Sequence, residues 1–220
     1  VALAEGKIII MKKGICCYCG SFGKLTRDHI PPKSIFPKPR PKNLITVPCC
    51  EKCNANASVL DERFKAFLGM HIARQGGEAE RLFKEGVIPT MSYNGKLRKK
   101  VMESIYPVLT ATDSGIITGK GVAVPWDNEA HDTTIERITR GLFYYHYKKI
   151  VSSETPPNTY WFKSLPSFEP DTFDTSTIAE GKFTYYHRKV DNRDFDSVWL
   201  YSFYGAHFAG AIILTSNGPD

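Results

Sequence analysis

No stretch of this 220-residue chain is apolar for the roughly 18 to 20 residues that a bilayer-spanning helix needs. The first ten residues hold a short apolar run, Ile8–Ile10, but no basic leading region and no small-residue cleavage site, so no signal peptide is expected. Met11 could be the native start with an extension before it, and the sequence leaves that open. No repeat and no low-complexity tract is present. No cysteine occurs after Cys53: all six fall between Cys16 and Cys53. Acidic residues are nearly missing from the same region. Between Met11 and Cys53, nine lysines and arginines face only Asp28 and Glu51, whereas residues 54–220 carry a net charge of −1. A composition that is 42% hydrophobic and 24% charged belongs to a globular chain, long enough for one domain or two small ones. Together these features predict an intracellular, cytoplasmic protein with no membrane partner, whose cysteines hold metal rather than disulfides. The local positive charge predicts a polyanion as ligand; the plainer reading is a solvated lysine-rich face.

The cysteines have a pattern. Cys16 and Cys19 form one C-x-x-C pair, and Cys50 and Cys53 form another. A C-x-x-C turn lets two thiolates converge, and two such turns complete the tetrahedral set that zinc prefers. The expectation is a structural zinc on these four residues, tying together a unit too small to stabilise itself by burial. Cys17 and Cys49 are left over and are expected to be small buried neighbours.

Between the pairs lies Thr26-Arg27-Asp28-His29-Ile30-Pro31-Pro32. Asp28 offers oxygen to a hard divalent cation such as Mg²⁺. His29, neutral near pH 7, can take a proton from an attacking water. Neighbouring strand residues face opposite sides, but a bending strand end lets both border one cleft. An isolated Asp-His pair more often fixes a turn; the cysteine frame shifts the balance toward chemistry. Arg27 and Lys33 flank the pair and are the candidates for holding phosphate, against the alternative of plain surface. Asp61-Glu62 reads as a solvated face or as partner to Arg63 and Lys65.

The pattern predicts a short strand at Ile8–Ile10, a knuckle over 14–20, and strands over 25–30 and 44–47, the second closed by Pro48. A stiff loop through Pro37, Pro39 and Pro41 joins the strands. A helix follows from Asn54 to about Arg74, with Val59, Leu60, Phe64, Phe67, Leu68 and Ile72 on its apolar face. Gly76-Gly77 marks a break, and a short helix is expected over 78–85. Residues 91–118 are ambiguous. Asp132 is the expected cap of a helix over 133–149, and 152–181 reads as loop. Three aromatic-rich alternating runs, 183–190, 197–204 and 208–214, predict an antiparallel sheet. The fold class is therefore α+β, with an N-terminal unit over 1–75 and an α+β C-terminal domain over 76–220 for specificity or scaffolding. His131, His146, His187 and His207 make no ligand spacing, and the tyrosine-histidine runs at 144–147 and 185–187 read as packing before base stacking.

The combination Cys16-x-x-Cys19, Asp28-His29-Ile30-x-Pro32-Lys33, Asn43-Leu44 and Cys50-x-x-Cys53-Asn54 resembles the HNH endonuclease superfamily, in its zinc-containing ββα-metal form. The likeness covers residues 14–68. It implies an endonuclease hydrolysing phosphodiester bonds, with His29 as general base and Asp28 and Asn54 as ligands of the catalytic metal. Asn43 would brace the loop that aims His29, and the four cysteines would hold a separate zinc. Asn54 stands where many relatives have histidine; its harder oxygen favours Mg²⁺ or Mn²⁺ there, and a helix N-cap is its plain alternative. The implied partner is nucleic acid, with DNA favoured, and a homodimer or partner protein is compatible. Relatives of this architecture serve phage and bacterial defence, packaging or mobility. Two rivals stand beside it: a non-catalytic nucleic-acid-binding module built on zinc knuckles, and a structural subunit of a larger complex.

Overall fold

The computed structural model describes residues 13–169 and 171–215; the strand expected at Ile8–Ile10 lies outside them. The described residues are α+β with three antiparallel sheets. The first is three-stranded: β1 (Lys13–Ile15), β2 (Phe22–Ile30) and β3 (Ile45–Cys50), in that order. β3 does not stop at Pro48. It runs on to Cys50, with Arg27 opposite Pro48 and Leu25 opposite Cys50. β3 is an edge strand, where a proline's missing N–H costs little, and the Pro48 carbonyl accepts from the Cys17 N–H at 3.0 Å.

Helix α1 (Glu51–Ile72) follows β3 without a loop. It starts three residues before the expected Asn54, because Cys50 caps it: the Cys50 Sγ accepts from the Cys53 N–H at 3.4 Å. The second C-x-x-C is thus the helix's first turn, and Asn54 lies inside the helix rather than at its cap. Phe64, Phe67, Leu68 and Ile72 are buried as the spacing requires, whereas Val59 faces solvent.

Beyond Gly76, with φ +73°, come α2 (Gly77–Arg81), a π-helical turn over Leu82–Val87, α3 (Ile88–Tyr93) and α4 (Gly95–Ser104). The ambiguous stretch resolves into α4, capped by the Asn94 side chain, and a hairpin of β4 (Tyr106–Ala111) and β5 (Ile117–Ala123). Helix α5 (Asn128–Tyr147) begins five residues before the expected start. Asp127 caps it, accepting from the Ala130 N–H at 3.3 Å, and leaves Asp132 inside the helix. The same Asp127 pairs with Arg63 of α1 at 2.6 Å, a partner that no local pattern discloses.

The C-terminal sheet has five strands in the order β6-β10-β9-β8-β7. β8 (Phe183–Lys189), β9 (Ser197–Phe203) and β10 (His207–Ile213) match the aromatic runs. β6 (Asn158–Phe162) and β7 (Asp174–Ile178) form within the stretch expected to be loop; they are the two edge strands, β7 being polar and β6 a short Tyr160-Trp161-Phe162 run without alternation. Trp199, Tyr201, Phe203, Phe183 and Tyr185 are fully buried or nearly so. They join Ile135, Ile138, Leu142 and Phe143 of α5, Phe64 and Leu68 of α1, and Cys16, Cys17 and Ile30 of the first sheet in one continuous core. That core spans both sides of the Gly76-Gly77 break.

Candidate metal and catalytic centre

The four sulfurs of Cys16, Cys19, Cys50 and Cys53 lie within 4.8 Å of one another. The edge of a tetrahedron around an ion with bonds of about 2.3 Å is about 3.8 Å, and Cys19 and Cys50 stand 3.8 Å apart, Sγ to Sγ. Each pair is placed by a turn. Cys16 opens a tight turn in which its carbonyl accepts from the Gly20 N–H, and Gly20 has φ +70°. Cys50 and Cys53 sit at the junction of β3 and α1. Four converging thiols fit a zinc ion in number, chemistry and spacing. Hydrogen bonding with Ser21 lowers the Cys19 thiol to about 6, so it yields its proton readily, while burial raises Cys53. The spare cysteines lie outside the cluster: Cys17 and Cys49 are fully buried, and burial pushes both thiols up as it does Cys53.

Next to this cluster is a cleft of about 220 Å³, bordered by Arg27, Asp28, His29, Lys33, Asn54, Ser58 and Asp61. Five of the residues singled out in the sequence therefore meet in one place. Asp28 and His29 both border the cleft although they are adjacent on β2, at the strand end before Pro31. Burial lowers the His29 pKa below its ordinary value and Lys33 adds to the effect, so the imidazole is neutral at pH 7. The Asn54 Nδ2 donates to the Thr26 Oγ1 at 3.1 Å, and that hydroxyl donates to the Cys49 carbonyl at 2.9 Å. With Nδ2 so used, Oδ1 is the atom able to take a cation. A carboxylate and an amide oxygen form a donor set suited to a hard divalent ion. Asn43 lies elsewhere: it is exposed and borders a separate cleft with Arg40, Lys42, Glu78 and Lys182.

Three further residues take part that the sequence reading gave no role in the cleft. Asp61 borders the cleft because it lies seven residues after Asn54, two helical turns on and so on the same face; the spacing was there to be read. It is not a solvated residue. Arg137 of α5 grips it with two hydrogen bonds, at 2.8 and 2.9 Å. Burial raises the Asp61 pKa, and Arg137 opposes the rise. Arg137 also approaches Asp28, with Nε 3.1 Å from Oδ2 and a longer hydrogen bond of 3.4 Å to Oδ1. The third is Tyr18, inside the first C-x-x-C, whose hydroxyl donates to the Asp28 Oδ2 at 2.7 Å. Arg137 lies 109 positions from Asp28 in sequence, and nothing local signals the pairing.

Comparison of the chain with protein-family models, curated proteins and solved structures finds no match. Among the described residues, no helix is long and apolar enough to cross a membrane.

Proposed function

We propose that this chain is a metal-dependent endonuclease of the HNH type that hydrolyses phosphodiester bonds, with DNA as the favoured substrate. The observation that carries the reading is the shared cleft of Asp28, His29 and Asn54, bordered by Arg27 and Lys33 and set against a four-cysteine cluster. Binding alone requires no neutral imidazole beside two oxygen ligands; hydrolysis does. Asp28 and Asn54 would hold Mg²⁺ or Mn²⁺, which supplies charge stabilisation for the phosphoryl group and the departing 3′ oxygen. Neutral His29 takes a proton from water as that water's oxygen bonds to phosphorus. The bond from phosphorus to the 3′ oxygen breaks, and the leaving oxygen takes a proton from solvent. The products are a 5′ phosphate and a 3′ hydroxyl. Arg27 and Lys33, both exposed at the rim, hold the phosphates that flank the scissile one. The cysteine zinc would fix the turn between β1 and β2 against the junction of β3 and α1 and take no part in bond breaking.

The rival reading, a non-catalytic nucleic-acid-binding module, draws support from the ion pair that already satisfies Asp28. One assay separates the two. Supercoiled plasmid, single-stranded DNA and RNA are each incubated with the purified protein and Mg²⁺, Mn²⁺ or EDTA. The expected result is nicked or linear DNA with either metal and none with EDTA. Salt-sensitive binding without cleavage in any combination would establish the rival instead.

A further inference from the structure

We infer that Tyr18 and Arg137 are positioning residues for Asp28, so that the zinc knuckle and helix α5 jointly aim the ligand of the catalytic cation. The inference rests on the proposed nuclease reading and extends it to residues outside the Asp-His motif. Asp28 is buried, its side chain only 7% exposed, and two groups from different parts of the chain converge on its Oδ2. One is the Tyr18 hydroxyl at 2.7 Å. The other is the Arg137 Nε at 3.1 Å. The Nε approach is an ion-pair contact without hydrogen-bond geometry, and Oδ1 accepts the one Arg137 hydrogen bond, long at 3.4 Å, so Oδ1 is the less firmly held oxygen and the one with capacity for a cation. A carboxylate held through one oxygen and offered through the other is how outer partners orient a metal ligand.

Both positioning groups are themselves held. Tyr18 sits between Cys17 and Cys19, so its backbone is set by the knuckle, and its carbonyl accepts a hydrogen bond from Arg140 of α5. Arg140 also donates to the Val151 carbonyl at 3.1 Å. Arg137 is braced from its far side by Asp61 of α1. Its guanidinium therefore sits between two carboxylates, with a side chain 11% exposed. Gly141, one turn after Arg137, lets α5 come this close: a Cβ there would lie 2.6 Å from the Ile30 Cδ1 and 3.1 Å from the Tyr18 hydroxyl.

The test uses full-length, zinc-loaded protein and two readouts: Mn²⁺ binding by calorimetry, and kcat and KM on plasmid DNA. Tyr18→Phe removes only the hydroxyl and should weaken Mn²⁺ binding and lower kcat about tenfold, leaving zinc content, melting temperature and KM near wild type. Arg137→Met should cost about 10- to 100-fold in the same two quantities, and Arg137→Lys should recover part of the loss. Unpaired buried carboxylates can unfold the protein, so Tyr18→Phe and Arg137→Lys carry the test if Arg137→Met is insoluble. Folded variants with Mn²⁺ affinity and kcat within twofold of wild type would overturn the inference and leave the nuclease reading intact. Tighter Mn²⁺ binding in the Arg137 variants would also overturn it, because Arg137 would then compete with the cation. A wild-type protein that neither binds Mn²⁺ nor cuts would overturn both.

Discussion

The two ends of the molecule reach order by different means. The C-terminal sheet stacks Phe183, Tyr185, Trp199, Tyr201 and Phe203 into a dry layer, with Phe183 and Tyr201 at 6.0 Å between ring centroids and the His187 and Trp199 rings at 4.8 Å. The N-terminal sheet has one strand of three residues, and its outer positions Ile15 and Phe22 are 51% and 73% exposed. Such a sheet buries too little apolar surface to hold itself, and the four-cysteine cluster offers the missing constraint. The candidate site lies at this thin end, with α5 packed against it. Stability supplied by a metal site leaves strand ends free to carry polar residues.

The largest expected effect breaks this comparison directly. Cys53→Ser, or chelation of bound zinc, should unfold the N-terminal unit and give insoluble or partly unfolded protein; elemental analysis of the dialysed wild type should show about one zinc per chain. Because Tyr18, Ile30 and α5 share a core with the C-terminal sheet, the near-ultraviolet aromatic signal should fall in the same transition. An unchanged aromatic signal after zinc loss would mean that the two ends are independent. Trp199→Ala is the reciprocal lesion. It should cost about 3 to 5 kcal/mol in denaturant unfolding while the surviving folded protein keeps its zinc.

Acid provides a third probe. Burial lowers His207 to about 3, with His131 and His71 adding to the effect, and burial lowers His146 to about 4. These rings are neutral in the folded protein, whereas in the unfolded chain they charge near the ordinary value of about 6.5. Their contribution is therefore complete above about pH 6.5 and declines as pH falls toward 4. The slope is roughly 1.4 kcal/mol per pH unit for each proton taken up on unfolding. Urea midpoints measured from pH 7 to pH 4 should fall steadily; a flat profile would contradict the burial of these rings. Gly141→Ala should have the smallest effect, about 1 to 3 kcal/mol from overpacking against Ile30 and Tyr18.

What could be read from the sequence follows the range of the signal. The cysteine spacing, the Asp28-His29 pair and Asn54 lie within 40 residues, and the meeting of Asp28, His29 and Asn54 in one cleft depends only on two strands and a helix in series. The aromatic runs at β8, β9 and β10 were legible because alternation is local. Boundaries were less so: Cys50 and Asp127 cap α1 and α5, where Asn54 and Asp132 were expected, because a thiol and a slightly earlier carboxylate outcompete them. Val59 fits the helical stripe by spacing yet is 63% exposed, because none of the described residues covers its side of α1. β7 is polar, and the Tyr160-Trp161-Phe162 run of β6 is too short and does not alternate, so neither edge strand shows the period-two pattern. The ion network of Arg137 with Asp28 and Asp61 was beyond reach, because it depends on how α5 packs across the molecule.

The central claim is that His29 moves a proton during phosphodiester hydrolysis, and the rate of plasmid cleavage by His29→Ala protein at saturating Mn²⁺ tests it most directly. The account predicts a rate about 10² to 10⁴-fold below wild type, with zinc content, folding and DNA binding near normal. Cleavage at the wild-type rate would contradict it.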